Sequence, residues 1–173
     1  MIKILTNIII LIALGITQVS FLSTWLFPVD SLNLILSLII FVTVIISYEK
    51  GLWWAFGLGI FLELYSALPF GIISLSLFFV VILINFLFSH IFTNRSFYSL
   101  LILGLIGTIF YNSVMFLFYL ILLITDFNVS FFNFNFWLDF IWQPILNVII
   151  LSVVFFTCYI STNRLKIFIS HSD

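Results

Sequence analysis

The chain has 173 residues, of which 65% are hydrophobic and 6% are charged, and its net charge is −1. An ordinary soluble domain carries about 25% charged residues, and a soluble fold of this size cannot bury so much apolar surface. The composition therefore excludes a soluble globular domain and gives no sign of a nucleic-acid partner. It predicts a single all-α domain, residues 1–173, integral to a lipid bilayer.

Six apolar stretches predict six transmembrane helices, because a span needs about 20 mostly apolar residues. The runs are continuous and not alternating, which excludes the strands of a membrane barrel. The first run resembles a signal peptide, but no small-x-small cleavage site follows it, so we expect a retained helix. Pro144 near the start of the last stretch suits the first turn of a helix. The predicted helices cover approximately residues 4–26, 32–47, 52–68, 72–92, 99–125 and 140–161.

The charged residues predict the orientation of these helices. Basic residues favour the cytoplasmic side of a membrane. With six crossings, all five basic residues fall on one side of the bilayer, and both termini are then cytoplasmic. These residues are Lys3, Lys50, Arg95, Arg164 and Lys166, and the opposite side receives Asp30, Asp126 and Asp139.

One acid, Glu63, lies inside the third predicted helix. Ala55, Gly59, Ser66 and Ala67 fall on the same helical face. Because small residues let helices approach closely in lipid, we expect this stripe to pack against another helix and to bury Glu63. A buried acid is either a hydrogen-bonding group between helices or part of a proton or ion path. Such a path usually has several ionisable groups in series, and only one is present here.

Other polar residues of the predicted helices are candidate partners for this acid. Gln143 and Asn147 lie one turn apart near the start of the last helix, and Asn112 lies near the middle of the fifth. We predict that these three are buried polar residues. We expect Glu63 to form a hydrogen bond with Asn147, Gln143 or Ser66.

Catalytic and metal-binding patterns are missing from the sequence. It has no Ser-His-acid set, paired carboxylates, phosphate-binding glycine loop or cysteine cluster. His90 and His171 have no second ligand at metal spacing, and Cys158 is expected to be an inert thiol and not a nucleophile. We therefore predict a protein that is not an enzyme, with no catalytic residue, no cofactor and no metal.

A Phe-rich segment precedes the last predicted helix, on the side opposite to the basic residues. Its aromatic residues could lie in the headgroup layer with the intervening Asn amides towards water. Either this segment only anchors the protein, or it is a docking surface for a partner, since aromatic residues favour interfaces. The aromatic residues are Phe131, Phe132, Phe134, Phe136 and Trp137.

The stretch GIFLELYSALPFG, residues 59–71, resembles the signature of the MreD family of bacterial rod-shape-determining membrane proteins. That signature has a Gly, three apolar residues, an Asp, Leu, any residue, Ser and then a Gly five residues on. The matching positions here are Gly59, Glu63, Leu64, Ser66 and Gly71, with Glu in place of Asp. Chain length, short hydrophobic spans and an aromatic segment before the last helix also agree with the family.

The resemblance implies a non-enzymatic scaffold or regulator of the cell-elongation complex, which supports lateral peptidoglycan synthesis and rod shape. It implies a multi-pass protein of the bacterial cytoplasmic membrane, in contact with membrane lipid. MreC is the expected partner, and RodA, a class B transpeptidase and MreB are further members of the assembly. The implied fold is similar to the substrate-binding subunit of energy-coupling-factor transporters.

That similarity leaves a second function open, a transporter subunit that captures a small molecule. Such a protein needs a ligand-sized cavity with convergent polar groups. Glu63, Gln143 and Asn147 are the polar residues that this reading would use.

Overall fold

The computed structural model describes the backbone of residues 11–21, 24–66, 68–92, 96–124 and 134–170, and the side chains of 11–20, 24–66, 68–92, 96–124 and 138–160. Every regular element within these ranges is helical, which confirms the all-α class. A short 3-10 turn, Val29–Ser31, precedes the second helix. The helices are α1 Leu11–Ser20, α2 Leu34–Ile46, α3 Tyr48–Glu63, α4 Ile72–His90, α5 Phe97–Ile124 and α6 Phe134–Ser170.

Helices α4 and α5 begin and end within two residues of the predicted positions, but α3 is displaced towards the N-terminus. It begins at Tyr48 and not at residue 52, and it ends at Glu63 and not at residue 68. The Ser47 side chain explains the early start, since its Oγ accepts a hydrogen bond from the Lys50 backbone N–H at 3.4 Å. The segment YEK, which we expected to be a loop, is therefore the capped first turn of α3.

Helix α6 is longer than predicted. It begins at Phe134 and not at residue 140, and it continues to Ser170, so that Pro144 lies inside it. The first-turn position expected for Pro144 is thus wrong. A proline inside a helix removes one backbone hydrogen bond, which membrane helices tolerate when neighbouring groups compensate.

Helices α4 and α5 run antiparallel. Between α4 and α5, Ser76 Oγ lies 3.4 Å from Met115 Sδ, and a Cβ on Gly107 would lie 3.0 Å from Ile84 Cδ1. Along this interface the residue numbers of α4 therefore increase as those of α5 decrease, as antiparallel packing requires.

The bundle has two ends that differ in charge. Ser31 Oγ donates a hydrogen bond to Asp139 Oδ1 at 2.6 Å, which brings the chain just after Asp30 together with the first part of α6. We call this the Asp30 end. The turn at Ser47 that joins α2 to α3 lies at the other end of α2, one helix length from the Asp30 end. We call this the Lys50 end.

The last turn of α1 lies at the Asp30 end. Gln18 Nε2 donates to the Leu32 carbonyl at 2.9 Å, and Gln18 Oε1 accepts from the Leu34 backbone N–H at 2.9 Å. The Gln18 side chain thus satisfies backbone groups at the start of α2 that have no partner within the helix.

Helix α2 lies at the centre of the bundle and is apolar nearly all round. It packs against α3, α4, α5 and α6. A helix without a polar face is stable only inside a protein or a membrane. Its fully buried side chains include Ile35, Leu36, Ile39 and Ile40.

Three helical segments of the described residues are long and apolar enough to cross a membrane: Ile72–His90, Phe97–Ile124 and Leu138–Ile160. Only 17% of the most apolar window within Leu138–Ile160 is buried inside the protein. Large apolar side chains therefore cover its outer surface, as expected for a protein in lipid. Helix α3 has 16 residues, and Leu11–Ser20 and Leu34–Ile46 are shorter apolar helices.

Candidate functional site

The residues of the GIFLELYSALPFG stretch meet at the junction of α3 and α4. Helix α4 begins at Ile72, and its N-cap residue is Gly71, whose φ of 102° lies in the left-handed region that favours glycine. Glycine has no side chain to bind the free N–H groups of the first helical turn. A helix end buried in an apolar environment needs another acceptor for them.

Glu63 supplies that acceptor from the last turn of α3. Its Oε1 accepts a hydrogen bond from the Ser74 backbone N–H at 2.8 Å and lies 3.0 Å from the Ser74 hydroxyl, which donates to it. The Glu63 residue is only 3% exposed. A carboxylate at a helix N-terminus is stabilised by the exposed N–H groups and the helix dipole. We call this contact the Glu63 cap.

The Glu63 cap differs from the hydrogen bond that we expected. Ser74 takes the place of Asn147, Gln143 and Ser66 as the partner. Ser66 instead forms a local turn, in which its Oγ accepts from the Leu68 backbone N–H at 2.9 Å. The acid is therefore used within one helical hairpin and not between distant helices.

Gly59 makes the Glu63 cap sterically possible. A Cβ at this position would lie 2.6 Å from Ser74 Cα and 2.8 Å from Ser74 Cβ. The absence of a side chain lets α3 and α4 approach until the carboxylate reaches Ser74. Ala55 is fully buried one turn earlier in α3, and Ala67 lies outside the described residues.

A second group of polar side chains lies where α2, α5 and α6 meet, and we call it the interhelical polar cluster. Asn147 is fully buried. Its Oδ1 accepts from the Asn33 backbone N–H at 3.1 Å, and its Nδ2 donates to Thr108 Oγ1 at 3.3 Å. One side chain thus ties three helices together. The cluster consists of Asn33, Thr108 and Asn147.

Asn33 is both a member of this cluster and the N-cap of α2. Its Oδ1 accepts from the Leu36 backbone N–H at 2.9 Å. The cap satisfies one free donor of α2, and Asn147 satisfies the N–H of the cap residue itself. Substitution of either Asn would leave a buried backbone donor without a partner, at a cost of about 1–3 kcal/mol.

One polar side chain of α5 and one of α6 each carry a buried atom without a hydrogen-bond partner. Asn112 Nδ2 and Gln143 Oε1 are the buried side-chain atoms in the described part of the chain for which this holds. Asn112 is 9% exposed, and Gln143 is half-buried. Native proteins satisfy nearly all such groups, so an unsatisfied pair is informative.

The structure describes only part of the aromatic segment before the last helix. Phe131 and Phe132 lie outside the described residues. The backbone at Phe134, Phe136 and Trp137 is helical and belongs to the first turns of α6. This half of the segment therefore belongs to the last helix, which we predicted to begin only at about residue 140.

The acids described inside the bundle are engaged with donors of this chain. Glu63 accepts from Ser74, and Asp139 accepts from Ser31. Among the described residues, no group of three or more His, Cys, Asp or Glu side chains could hold a metal ion. The Glu63 cap and the interhelical polar cluster therefore fix helix ends and join helices.

Sequence reasoning missed two partners that its own rules could have found. Ser74 is the third residue after Gly71, which is the position whose N–H a cap side chain usually binds. Asn33 directly precedes an apolar run, which is an N-cap signal. Both were overlooked because Glu63 and Asn147 were matched with polar residues at similar depth on other helices.

Comparison with protein-family models, curated proteins and solved structures gives no match.

Proposed function

We propose that the chain is a multi-pass protein of the bacterial cytoplasmic membrane, with six crossings and both termini in the cytoplasm. The antiparallel packing of α4 against α5 supports an alternating path. The separation of Lys50 from Asp30 and Asp139 at opposite ends of the bundle supports the direction, because basic residues favour the cytoplasmic side.

We further propose that the protein is a non-enzymatic scaffold or regulator of the cell-elongation complex, in the manner of MreD proteins. The observation that carries this proposal is the hairpin built by the resembling stretch. Gly59 allows the close approach to Ser74, Glu63 caps α4, and Gly71 provides the left-handed N-cap. The stretch thus has a structural task, as expected of a protein that acts by holding partners.

MreC is the proposed direct partner, with RodA, a class B transpeptidase and MreB in the same assembly. Gly59 packs against Ser74 of α4 in this chain, so a partner helix must use another surface. We propose the aromatic segment, Phe131 to Trp137, because aromatic residues are enriched at interfaces and the second half of this segment forms the first turns of α6.

Co-purification tests this proposal. Tagged protein expressed with MreC of the same organism should retain MreC, and loss of the gene should turn rods into spheres. The double substitution Phe134→Ser and Phe136→Ser should abolish MreC retention at an unchanged protein level. The matched control is Phe86→Ser, an exposed aromatic residue near the end of α4, which should retain MreC. Rod shape without the gene, or no MreC with the unaltered chain, would contradict the proposal.

A substrate-binding subunit of an energy-coupling-factor-type transporter is the second candidate. The observation in its favour is the pair of atoms on Asn112 and Gln143 that have no hydrogen-bond partner. Ligand sites contain polar groups that form hydrogen bonds with the ligand. Gene neighbourhood discriminates between the two candidates. Genes for an actin homologue and MreC favour the scaffold, whereas a pair of ATPase genes and a purified protein that retains a stoichiometric vitamin favour the transporter.

A further inference from the structure

The unpartnered atoms Asn112 Nδ2 and Gln143 Oε1 are of opposite kinds. Nδ2 of an amide only donates hydrogen bonds, and Oε1 only accepts them. Two such atoms would satisfy each other if they were in contact, yet neither has a partner. Burial of one unpaired amide group costs about 1–3 kcal/mol by protein mutational data, so the pair points to a third group between them.

The packing of α5 against α6 brings the two residues to the same level. Gly104 faces Leu151, and one turn further Thr108 faces Asn147, with 3.3 Å between Thr108 Oγ1 and Asn147 Nδ2. The next turn of this antiparallel register sets Asn112 opposite Gln143.

The faces of both helices agree with this register. Asn112 lies four residues after Thr108, and Gln143 lies four residues before Asn147, so each shares a helical face with a residue already in contact across the interface. The two amides therefore border one position between α5 and α6, towards the Asp30 end.

Pro144 adds another acceptor on the same turn. It is buried inside α6 and has no N–H, so the helical bond from residue 144 to the Phe140 carbonyl is missing. Membrane helices satisfy carbonyls freed in this way with hydroxyl side chains or ordered water.

We propose that Asn112 and Gln143 bind one hydroxyl group between α5 and α6, either that of a water molecule or that of a hydroxylic lipid headgroup. The occupant must accept from Asn112 Nδ2 and donate to Gln143 Oε1, and a hydroxyl does both. A carboxylate or an ionised phosphate has no proton to donate, and an ammonium group has no lone pair to accept with. The inference is independent of the scaffold role proposed above.

High-resolution structures in two kinds of nanodisc test the site. One contains phosphatidylglycerol, whose headgroup bears hydroxyls, and the other contains only phosphatidylcholine, whose headgroup has none. We expect density within about 3.2 Å of both Asn112 Nδ2 and Gln143 Oε1. An isolated peak in both preparations identifies water, and density continuous with a lipid in the first alone identifies a headgroup. A direct bond between the two amides, or no density in either preparation, would overturn the proposal.

A double-mutant cycle with isosteric substitutions gives a second, independent readout. Asn112→Leu and Gln143→Met each remove one partner of the shared group, so the second substitution should cost less than the first. We expect a coupling of about threefold in the unfolding equilibrium constant, the average size for polar contacts between membrane helices. The control pair is Asn112→Leu with Ser152→Ala, because the Ser152 hydroxyl bonds to its own helix at Val148. Additive effects in both cycles would refute the shared group.

Discussion

The close approach of α3 and α4 at Gly59 leads to a quantitative prediction for Gly59→Ala. The new Cβ would lie 2.6 Å from Ser74 Cα, whereas ordinary contact begins at 3.4 Å. The atom in its way belongs to the backbone, so no side-chain rotation can relieve the clash. The two helices must separate locally by about 0.8 Å to restore ordinary contact.

That separation removes the Glu63 cap. The bond from Ser74 N to Glu63 Oε1 is 2.8 Å long, and an added 0.8 Å would take it to about 3.6 Å, beyond the range of a hydrogen bond. Overpacking costs about 1–3 kcal/mol, and a lost cap costs about 0.5–2 kcal/mol. The better helix propensity of Ala returns about 0.5–1 kcal/mol. We expect a net loss of about 0.5–4.5 kcal/mol in the free energy of unfolding.

Reversible unfolding of the purified protein in mixed detergent micelles, followed by tryptophan fluorescence, measures this loss. Gly57→Ala is the matched control on the same helix, since its Cβ would lie 3.6 Å from Leu11 Cδ1, an ordinary contact. The control should be neutral or more stable by up to about 1 kcal/mol. Equal stability changes for the two variants would refute the assignment of Gly59 to a close helix approach.

The same unfolding measurement in mixed micelles checks the remaining predictions. Glu63→Gln keeps an acceptor for Ser74 and should cost about 1 kcal/mol, whereas Glu63→Leu removes the acceptor and should cost about 2–3 kcal/mol. Equal losses would show that the carboxyl group itself is required. Asn147→Leu leaves the Asn33 backbone N–H without its acceptor and should cost about 1–3 kcal/mol. Ser152→Ala, which removes only a bond within α6, should stay within about 0.5 kcal/mol, and an equally small effect of Asn147→Leu would exclude a joining role for that residue.

The sequence predicted α4 and α5 well because each is one continuous apolar run. It failed at α6 because Pro144 was taken as a start signal, although apolar surroundings allow a proline inside a long helix. It misplaced α3 because Ser47 was not recognised as a cap, so the first turn of the helix was read as a loop.

The candidate site was predictable only in part, for a physical reason. Periodicity places Gly59 and Glu63 on one face of α3, and this follows from local geometry alone. The partner of Glu63 depends on how sharply the chain turns after α3, and Gly71 determines this turn through its positive φ. Likewise, the contact of Asn147 with Asn33 joins residues 114 positions apart, a separation over which local sequence patterns carry no information.

The central claim is that the chain crosses the membrane alternately, with the Asp30 end outside and the Lys50 end in the cytoplasm. A membrane crossing by helix α2 is the most stringent part of this claim, because Leu34–Ile46 is only about 20 Å long at 1.5 Å per residue. Asp30 and Glu49 flank this helix and are both exposed, so each can be replaced by a cysteine in a Cys158→Ser background.

Labelling of these two variants with a membrane-impermeant maleimide tests the claim most directly. In intact spheroplasts, Asp30→Cys should react at once, and Glu49→Cys should react only after the membrane is permeabilised. Reaction of both cysteines from the same side would contradict the alternating path.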